Sequence, residues 1–205
     1  ARNCLPPNKM THVLVTGAAG FMGSHVADSL LVDGFQVVAL DDLSGGFKEN
    51  VPAKATFIEG SILDYPLLER LFKKYQFEYV FHLAAYAAEG LSHFIRRFNY
   101  ENNLMGSVNL INQSILHKVK CFVFTSSIAV YGKNQLPMSE DMKPEPEDPY
   151  GISKLAEENI ALAAGREFGI PTTILRYAMV SGAYKDMAAI YPNAIKYFTE
   201  QALKH

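Results

Sequence analysis

The feature that most limits what this chain can fold into is a run of three glycines in TGAAGFMG, Thr16–Gly23. It lies directly between an apolar run, HVLVT, and a helical pattern, VADSLL. Glycine adopts backbone conformations closed to other residues and lets the main chain approach a ligand closely. A strand, a glycine turn and a helix N-terminus form an anion site, because free N–H groups and the helix dipole face the ligand. The segment therefore predicts a pyrophosphate site.

The rest of the chain repeats the same strand–helix rhythm. Apolar runs predict strands over 12–16, 36–40, 55–59, 79–83, 121–126 and 172–176, and helical patterns occur near 21–33, 65–75, 94–116 and 150–168. Strands that are apolar on both faces and separated by helices indicate a parallel sheet covered on both sides. We therefore predict a doubly wound α/β fold.

The rhythm ends after Arg176. A Pro-rich acidic stretch, 133–149, is expected to be a surface loop, and PNAIKYFTEQALKH is predicted to form one amphipathic helix. We expect residues 10–182 to form a nucleotide-binding domain that carries the catalytic residues. Residues 183–205 are then the start or remnant of a smaller C-terminal substrate-binding domain that is largely absent from this chain.

Composition excludes several classes of function. Of the 205 residues 49% are hydrophobic, and the net charge is −2, so the chain can bury a core and has no electrostatic footprint for nucleic acid. No apolar run is long enough to span a membrane, and a cytoplasmic location is predicted. Cys4 and Cys121 form no disulfide or metal pattern, and His82 and His93, without metal spacing, are interpreted as core and loop residues. No metal site is predicted.

An acidic residue follows the second predicted strand. Asp41 stands where a carboxylate can accept hydrogen bonds from both ribose hydroxyls of a dinucleotide, which favours NAD over NADP. For the adjacent Asp42, capping of the loop LSGG and direct contact with the ligand are equally supported.

A second group of residues points to acid/base chemistry. In PYGISK, Tyr150 and Lys154 are four residues apart on one helical face, so the ammonium can lower the pKa of the phenol. The pattern also occurs by chance as a solvated pair. The preceding strand, however, ends in three hydroxyls, Thr125, Ser126 and Ser127, which compete to bind a substrate hydroxyl.

Five ordered motifs, TGAAGFMG, DDLS, FHLAA, TSSIAVYG and YGISK, are together similar to the extended short-chain dehydrogenase/reductase family. The resemblance covers about residues 10 to 182. Within the family, the motifs are most similar to the NAD-dependent sugar-nucleotide epimerase/dehydratase branch. It implies a Rossmann fold, bound NAD and a homodimer. It also implies Ser127 as catalytic hydroxyl, Tyr150 as base and Lys154 as its partner, with these cofactor-binding residues: Gly17, Gly20, Phe21, Met22, Gly23, Asp41, Asp42, Leu43, Ser44, Ser61, Ile62, Leu83, Ala84, Ala85, Asn103, Tyr150, Lys154 and Tyr177.

Three positions depart from the family pattern or refine it. Dehydratases resemble one another in a Glu two positions after the catalytic hydroxyl; here that position is Ala129, which favours C4 epimerisation over dehydration. Ser61 replaces an adenine-contacting Asp, so Asp64 is expected to cap the next helix instead. Met179 replaces a substrate-contacting Asn. For Asn103, a solvent-facing position is the alternative to one near the active site.

The resemblance implies NAD-dependent epimerisation of a nucleotide sugar, with a UDP-sugar favoured, through a transient 4-keto sugar. A reductase or dehydrogenase of the same family, and a non-catalytic NAD-binding structural subunit, are the alternatives. The implied homodimer would pair the helices near 94–116 and 150–168, although packing inside the monomer explains their apolar faces equally well.

Overall fold

The computed structural model describes residues 11–133 and 136–180. Cys4, the amphipathic helix predicted for PNAIKYFTEQALKH and the whole of 183–205 lie outside the described residues.

Six parallel strands form one sheet in the order β3-β2-β1-β4-β5-β6. Their bounds are β1 His12–Thr16, β2 Gln36–Asp41, β3 Thr56–Glu59, β4 Tyr79–His82, β5 Cys121–Ser127 and β6 Thr172–Tyr177. The order reverses between β1 and β4, and ligands of such sheets bind at the carboxyl ends of the strands beside that reversal. The predicted doubly wound α/β Rossmann fold is therefore confirmed, and the strand ends are shifted by at most one residue.

The described part of the chain contains six α-helices between the strands: α1 Phe21–Val32, α2 Tyr65–Tyr75, α3 Glu89–Ser92, α4 Arg96–Asn99, α5 Gly106–Leu116 and α6 Pro149–Phe168. Side-chain caps fix where α2 and α6 begin. The Asp64 carboxylate accepts from the Leu67 N–H at 2.9 Å, as predicted, and Asp148 accepts from the Gly151 N–H at 2.9 Å. Each cap is followed by proline in the first turn, where the missing N–H has no consequence.

The single helix predicted near 94–116 is wrong in its details. The helix begins at Arg96, and a wider π-helical turn, Tyr100–Met105, separates α4 from α5. The amides of Asn99 and Asn103 are both fully buried at this point, and Asn103 Nδ2 donates to Asn99 Oδ1 at 3.1 Å. The Asn103 amide also accepts from the Tyr86 N–H, and the Asn99 amide donates to Pro149 O. The periodicity of apolar residues does not reveal these hydrogen bonds to backbone outside the helix.

Alternate residues of the strands fill two hydrophobic layers. On one face Leu14 and Leu40 pack with Phe72 of α2 and Leu110 of α5. On the other, Val13, Val15, Val37 and Ala39 pack with Ala27 and Leu30 of α1. Within the described ranges, no helix is long and apolar enough to cross a membrane.

Candidate active site

Two cavities lie along the carboxyl ends of the strands and share part of their walls. The first, of about 150 Å³, lies over β2 and β3 and includes Asp41 and Ile62 in its wall. The second, of about 400 Å³, lies over β4 and β5 and includes Ser127, Tyr150 and Lys154. Four residues border both: Gly17, Gly20, Leu83 and Ala85. The two cavities together suit one elongated ligand that crosses the glycine turn.

The glycine turn is held between the ends of β2 and β4. The Gly17 N–H donates to Leu40 O at 2.9 Å, and Gly17 O accepts from the Gly20 N–H at 3.1 Å. Gly17 has φ +70°, and a Cβ there would lie 2.7 Å from the Ala84 backbone nitrogen. A Cβ on Gly23 would lie 2.0 Å from Gly17 O. Glycine is therefore required for the close packing of this turn.

The first turn of α1 borders the second cavity through Phe21, Met22 and Gly23. The first N–H groups of a helix have no partner within that helix, and they carry the positive end of its dipole. The predicted anion site therefore lies where the two cavities meet.

Asp41 is held at the edge of the first cavity. Its Oδ2 accepts from the Ala19 N–H at 2.9 Å and its Oδ1 from the Leu43 N–H at 2.8 Å. Burial raises the pKa of this carboxyl, and the two backbone hydrogen bonds act in the opposite direction. The exposed Asp42 instead accepts hydrogen bonds from the N–H and the hydroxyl of Ser44. It therefore caps the loop LSGG, which is one of the two roles considered for it. Asp42 and Ser44 also border the cavity.

Three of the predicted cofactor residues do not border either cavity: Leu43, Ser61 and Asn103. The Ser61 hydroxyl accepts from the Leu63 N–H at 3.2 Å and so caps a turn. Asn103 is fully buried, which makes the solvent-facing alternative wrong. Its side chain accepts from the Tyr86 N–H at 2.7 Å and donates to Tyr86 O at 3.1 Å, holding the loop after β4 in place.

The three hydroxyls at the end of β5 have different surroundings. Ser126 is buried and donates to Glu158 Oε1 at 2.5 Å. Ser127 forms a side-chain hydrogen bond with Tyr150, which the other two do not. Lys154 takes the backbone oxygen of Thr125 as a partner, at 3.2 Å from its Nζ. Ser127 is therefore the hydroxyl that the fold brings to the Tyr150 phenol.

Tyr150 does not show the lowered pKa that its spacing from Lys154 predicts. The pKa of the phenol is raised to about 12: burial is the main cause, the Ser127 hydrogen bond acts against it, and the negative charge of Glu157 acts with it. The Lys154 Nζ lies 5.9 Å from the centre of the Tyr150 ring but only 3.4 Å from Glu157 Oε2. The nearer carboxylate offsets the ammonium charge, and the helical spacing alone did not reveal it.

A buried row of hydrogen bonds leads from the first cavity to Lys154. The Ala84 N–H donates to Thr16 Oγ1 at 3.2 Å, and Thr16 Oγ1 lies 2.8 Å from His82 Nδ1. His82 Nε2 lies 2.7 Å from Ser107 Oγ, which donates to Glu157 Oε2 at 2.6 Å. A carboxylate only accepts, so Ser107 gives its proton to Glu157, His82 donates through Nε2, and Thr16 donates to Nδ1. We refer to Thr16, His82, Ser107 and Glu157 as the buried polar row.

His82 is a core residue, as predicted, and it is kept neutral. Its pKa is lowered from 6.5 to about 3, mainly by burial and in addition by the charge of Lys154. The unfolded chain therefore binds a proton below pH 6.5 that the folded chain excludes, so stability falls as the pH decreases from 6.5 towards 3.

We expect His82→Gln to reduce this acid sensitivity. Between about pH 6.5 and about pH 5 the unmodified chain should lose about 2 kcal/mol of unfolding free energy through His82, and the variant should not. Urea unfolding at the two pH values measures the difference. His93→Gln, at an exposed position, is the control; equal acid sensitivity in His82→Gln and the unmodified chain would contradict the assignment.

Sequence reasoning missed the buried acids of α6. Glu157 and Glu158 are 1% and 2% exposed, and Glu158 forms a bidentate pair with Arg176, with Nη2–Oε2 at 2.7 Å and Nε–Oε1 at 2.9 Å. Arg176 also donates to the Tyr131 hydroxyl at 2.6 Å. One signal was available: Glu157 is three residues after Lys154, and therefore on the same helical face.

Comparison with known proteins shows which family the chain is similar to. A family model described as the NAD dependent epimerase/dehydratase family matches residues 13–204. The chain is 38% identical over 172 residues to the UDP-glucose 4-epimerase of Azospirillum brasilense, covering 83% of this chain and 49% of that protein. The chain thus spans about half the length of the curated relatives it matches.

Solved structures give the same result. A UDP-glucose 4-epimerase from Thermotoga maritima, solved with UDP-glucose, matches with a TM-score of 0.90 at 40% identity. The match covers 95% of this chain and 63% of the Thermotoga maritima chain. The UDP-glucose 4-epimerase of Thermus thermophilus, solved with NAD, matches with a TM-score of 0.82 at 35% identity. This match covers 86% of this chain and 58% of the Thermus thermophilus chain. The chain belongs to the NAD-dependent epimerase/dehydratase family, the extended short-chain dehydrogenase/reductase branch that its five motifs resemble.

Proposed function

We propose that the chain binds NAD and epimerises a nucleotide sugar at C4, with a UDP-sugar as the favoured substrate. The observation that carries the proposal is the position of Ser127, Tyr150 and Lys154 in one cavity that shares its wall with the glycine turn. The relatives support it, since the Azospirillum brasilense protein is named a UDP-glucose 4-epimerase and the Thermotoga maritima structure contains UDP-glucose.

The residues present fit NAD. Gly17 and Gly20 border both cavities, so the glycine turn lies where a pyrophosphate joining the two halves of the dinucleotide would pass. Asp41 would hold the adenosine ribose in the first cavity, and Tyr150 and Lys154 would border the nicotinamide end in the second. When bound, NAD supplies a hydride acceptor and, in its oxidised form, a positive ring charge that favours the Tyr150 phenolate.

The protein's own residues would manage the proton. Ser127 would hold the C4 hydroxyl of the sugar, and Tyr150, in its ionised form, would take the hydroxyl proton and later return it. Lys154, anchored to Thr125 O, would keep its charge beside the phenol. Ala129 offers no carboxylate for elimination, so this acid/base pair suits epimerisation rather than dehydration.

A spectroscopic experiment tests the function. The purified chain is incubated with NAD and either UDP-glucose or UDP-galactose, while the NADH absorbance band and the sugar products are followed. We expect transient NADH, conversion of each sugar into the other, and no net consumption of NAD. Steady accumulation of NADH would contradict epimerisation and favour a dehydrogenase. Bound NAD that no sugar nucleotide reduces would favour a structural subunit.

Asp41 supplies a prediction about cofactor choice. Asp41→Ala should weaken NAD binding by about 10-fold to 100-fold, because a hydrogen bond to a charged group contributes about 1.5–3 kcal/mol. NADP should be affected much less, because its 2′-phosphate is repelled by this carboxylate. Titration calorimetry with both nucleotides measures the change. Asp42→Ala is the matched comparison: an equal loss there would assign the ribose to Asp42 instead.

We also propose a homodimer formed through the α4–α5 segment and α6. The two elements pack against each other, and both leave apolar side chains exposed, among them Phe98, Met105, Ile152 and Ile160. Exposed apolar groups on adjacent helices are typical of protein interfaces. The division into a nucleotide-binding domain, 10–182, and a substrate region, 183–205, and the cytoplasmic location stay predictions.

A further inference from the structure

Two adjacent acids on α6 are buried and have different hydrogen-bond partners. Glu158 is satisfied by Arg176 and Ser126. Glu157 accepts from Ser107 and lies 3.4 Å from the Lys154 Nζ, both through Oε2. Its other oxygen, Oε1, has no hydrogen-bond partner among the described residues. A carboxylate that is 1% exposed and only half satisfied is expensive to keep ionised, so its position needs a reason.

The surroundings of Lys154 supply that reason. The ammonium is 2% exposed and has two polar neighbours, Thr125 O at 3.2 Å and Glu157 Oε2. It also lies over two aromatic rings, with Nζ 4.7 Å from the centre of Phe124 and 5.9 Å from the centre of Tyr150. Glu157 is therefore the counter-charge of the ammonium among the described residues.

The buried polar row fixes Glu157 in turn. Ser107, on α5, can give its only proton to Glu157 because His82, on β4, donates to the Ser107 oxygen. His82 is held by Thr16, whose hydroxyl also receives the Ala84 N–H beside the glycine turn. The carboxylate is thereby connected to three elements besides its own helix.

The charged and titratable groups around Tyr150 can be named for each element packed against it. On α6 these are Lys154, Glu157 and the N-cap Asp148, and on α3 Glu89. His82 on β4 stays neutral. Glu158 is paired with Arg176 of β6 and is not among the groups that shift the pKa of Tyr150. Lys154 is thus the one cation among these groups, and Glu157 is the anion closest to it.

We propose that Glu157 is a positioning residue for the catalytic pair: its carboxylate, oriented by Ser107 and His82, anchors the Lys154 ammonium and offsets its charge at Tyr150. The inference rests on the proposed acid/base role of Tyr150. Glu157 then determines how much of the Lys154 charge reaches the phenol, and the identity of this one residue sets the pH at which the base forms.

The test measures Tyr150 ionisation directly and requires neither cofactor nor sugar. The chain is labelled with 3-fluorotyrosine, which lowers phenol pKa values into an accessible range, and the ¹⁹F resonance of Tyr150 is assigned with Tyr150→Phe. Each variant is titrated with alkali and its fold is followed by circular dichroism. A failure of sugar epimerisation would leave this measurement unaffected, so the two proposals can fail separately.

Glu157→Gln should move the Tyr150 titration to lower pH by on the order of one unit, because it removes a negative charge and leaves the ammonium uncompensated. Glu158→Gln is the matched control, since it removes the adjacent carboxylate, which is almost as buried but is paired with Arg176 and Ser126. It should destabilise the chain but leave the Tyr150 titration in place. An unchanged titration in Glu157→Gln, or equal shifts in both variants, would overturn the proposal.

A second pair of variants decides the question if Glu157→Gln alone does not fold. Lys154→Met is compared with the double variant Lys154→Met/Glu157→Gln, which removes both members of the buried ion pair. The double variant should titrate at lower pH than the single one, by a similar amount. Coinciding titrations would show that the Glu157 charge does not act at Tyr150 and would overturn the proposal.

Discussion

Replacing Tyr150 by phenylalanine should lower the epimerisation rate by a factor of about 10² to 10⁴, because it removes the group proposed to move the C4 proton. The ring itself, 7% exposed, should stay packed, and only the hydrogen bond with Ser127 is lost. The unfolding free energy should therefore change by about 1 kcal/mol or less. Single-turnover reduction of NAD by the sugar nucleotide measures the chemical step separately from binding.

The control for this substitution is Tyr79→Phe, which removes a phenolic hydroxyl from β4 outside both cavities. It should react at the unmodified rate. If Tyr150→Phe also retained that rate, the proton would have to leave by another group, and the assignment of Tyr150 as acid/base would be wrong.

Gly17→Ala should weaken both the fold and NAD binding. At φ +70° a residue with a Cβ is strained by about 1–3 kcal/mol, and the added carbon would press against the Ala84 backbone at 2.7 Å. Relief of that contact must separate the glycine turn from the end of β4, where both cavities have their common wall. Urea unfolding and NAD titration measure the two effects.

Gly45→Ala provides the matched control for the unfolding measurement. Gly45 borders the first cavity, but a Cβ there would meet nothing within 4 Å. Its unfolding free energy should stay within about 0.5 kcal/mol of the unmodified chain. Equal destabilisation by the two alanines would show that the close approach of Gly17 to Ala84 is not what requires glycine.

Much of this architecture could be predicted because it depends on signals local to the sequence. Apolar strands, caps such as Asp64 and the glycine turn each occupy a short stretch of sequence. Every predicted strand end lies within one residue of the observed one, and Asp64 caps α2 as predicted. The approach of Ser127, Tyr150 and Lys154 followed from their place after neighbouring strands.

The parts that could not be predicted depend on partners distant in sequence. Asn103 was assigned to the cofactor because its position resembled the family pattern, but its amide holds the Tyr86 backbone. The Tyr150 pKa was expected to fall because helical spacing reveals Lys154, whereas burial and the Glu157 charge depend on the packed fold. The π-helical turn at Tyr100–Met105 likewise arises from tertiary hydrogen bonds.

The buried polar row also has a consequence for how the chain folds. Its links join residues 66, 25 and 50 positions apart in sequence, Thr16 with His82, His82 with Ser107 and Ser107 with Glu157. A partly assembled sheet would bury some of these groups without their partners, at about 1–3 kcal/mol for each unsatisfied one. Intermediates that contain only one half of the sheet are therefore disfavoured, and β1, β4, α5 and α6 should gain protection from hydrogen exchange as a single cooperative unit.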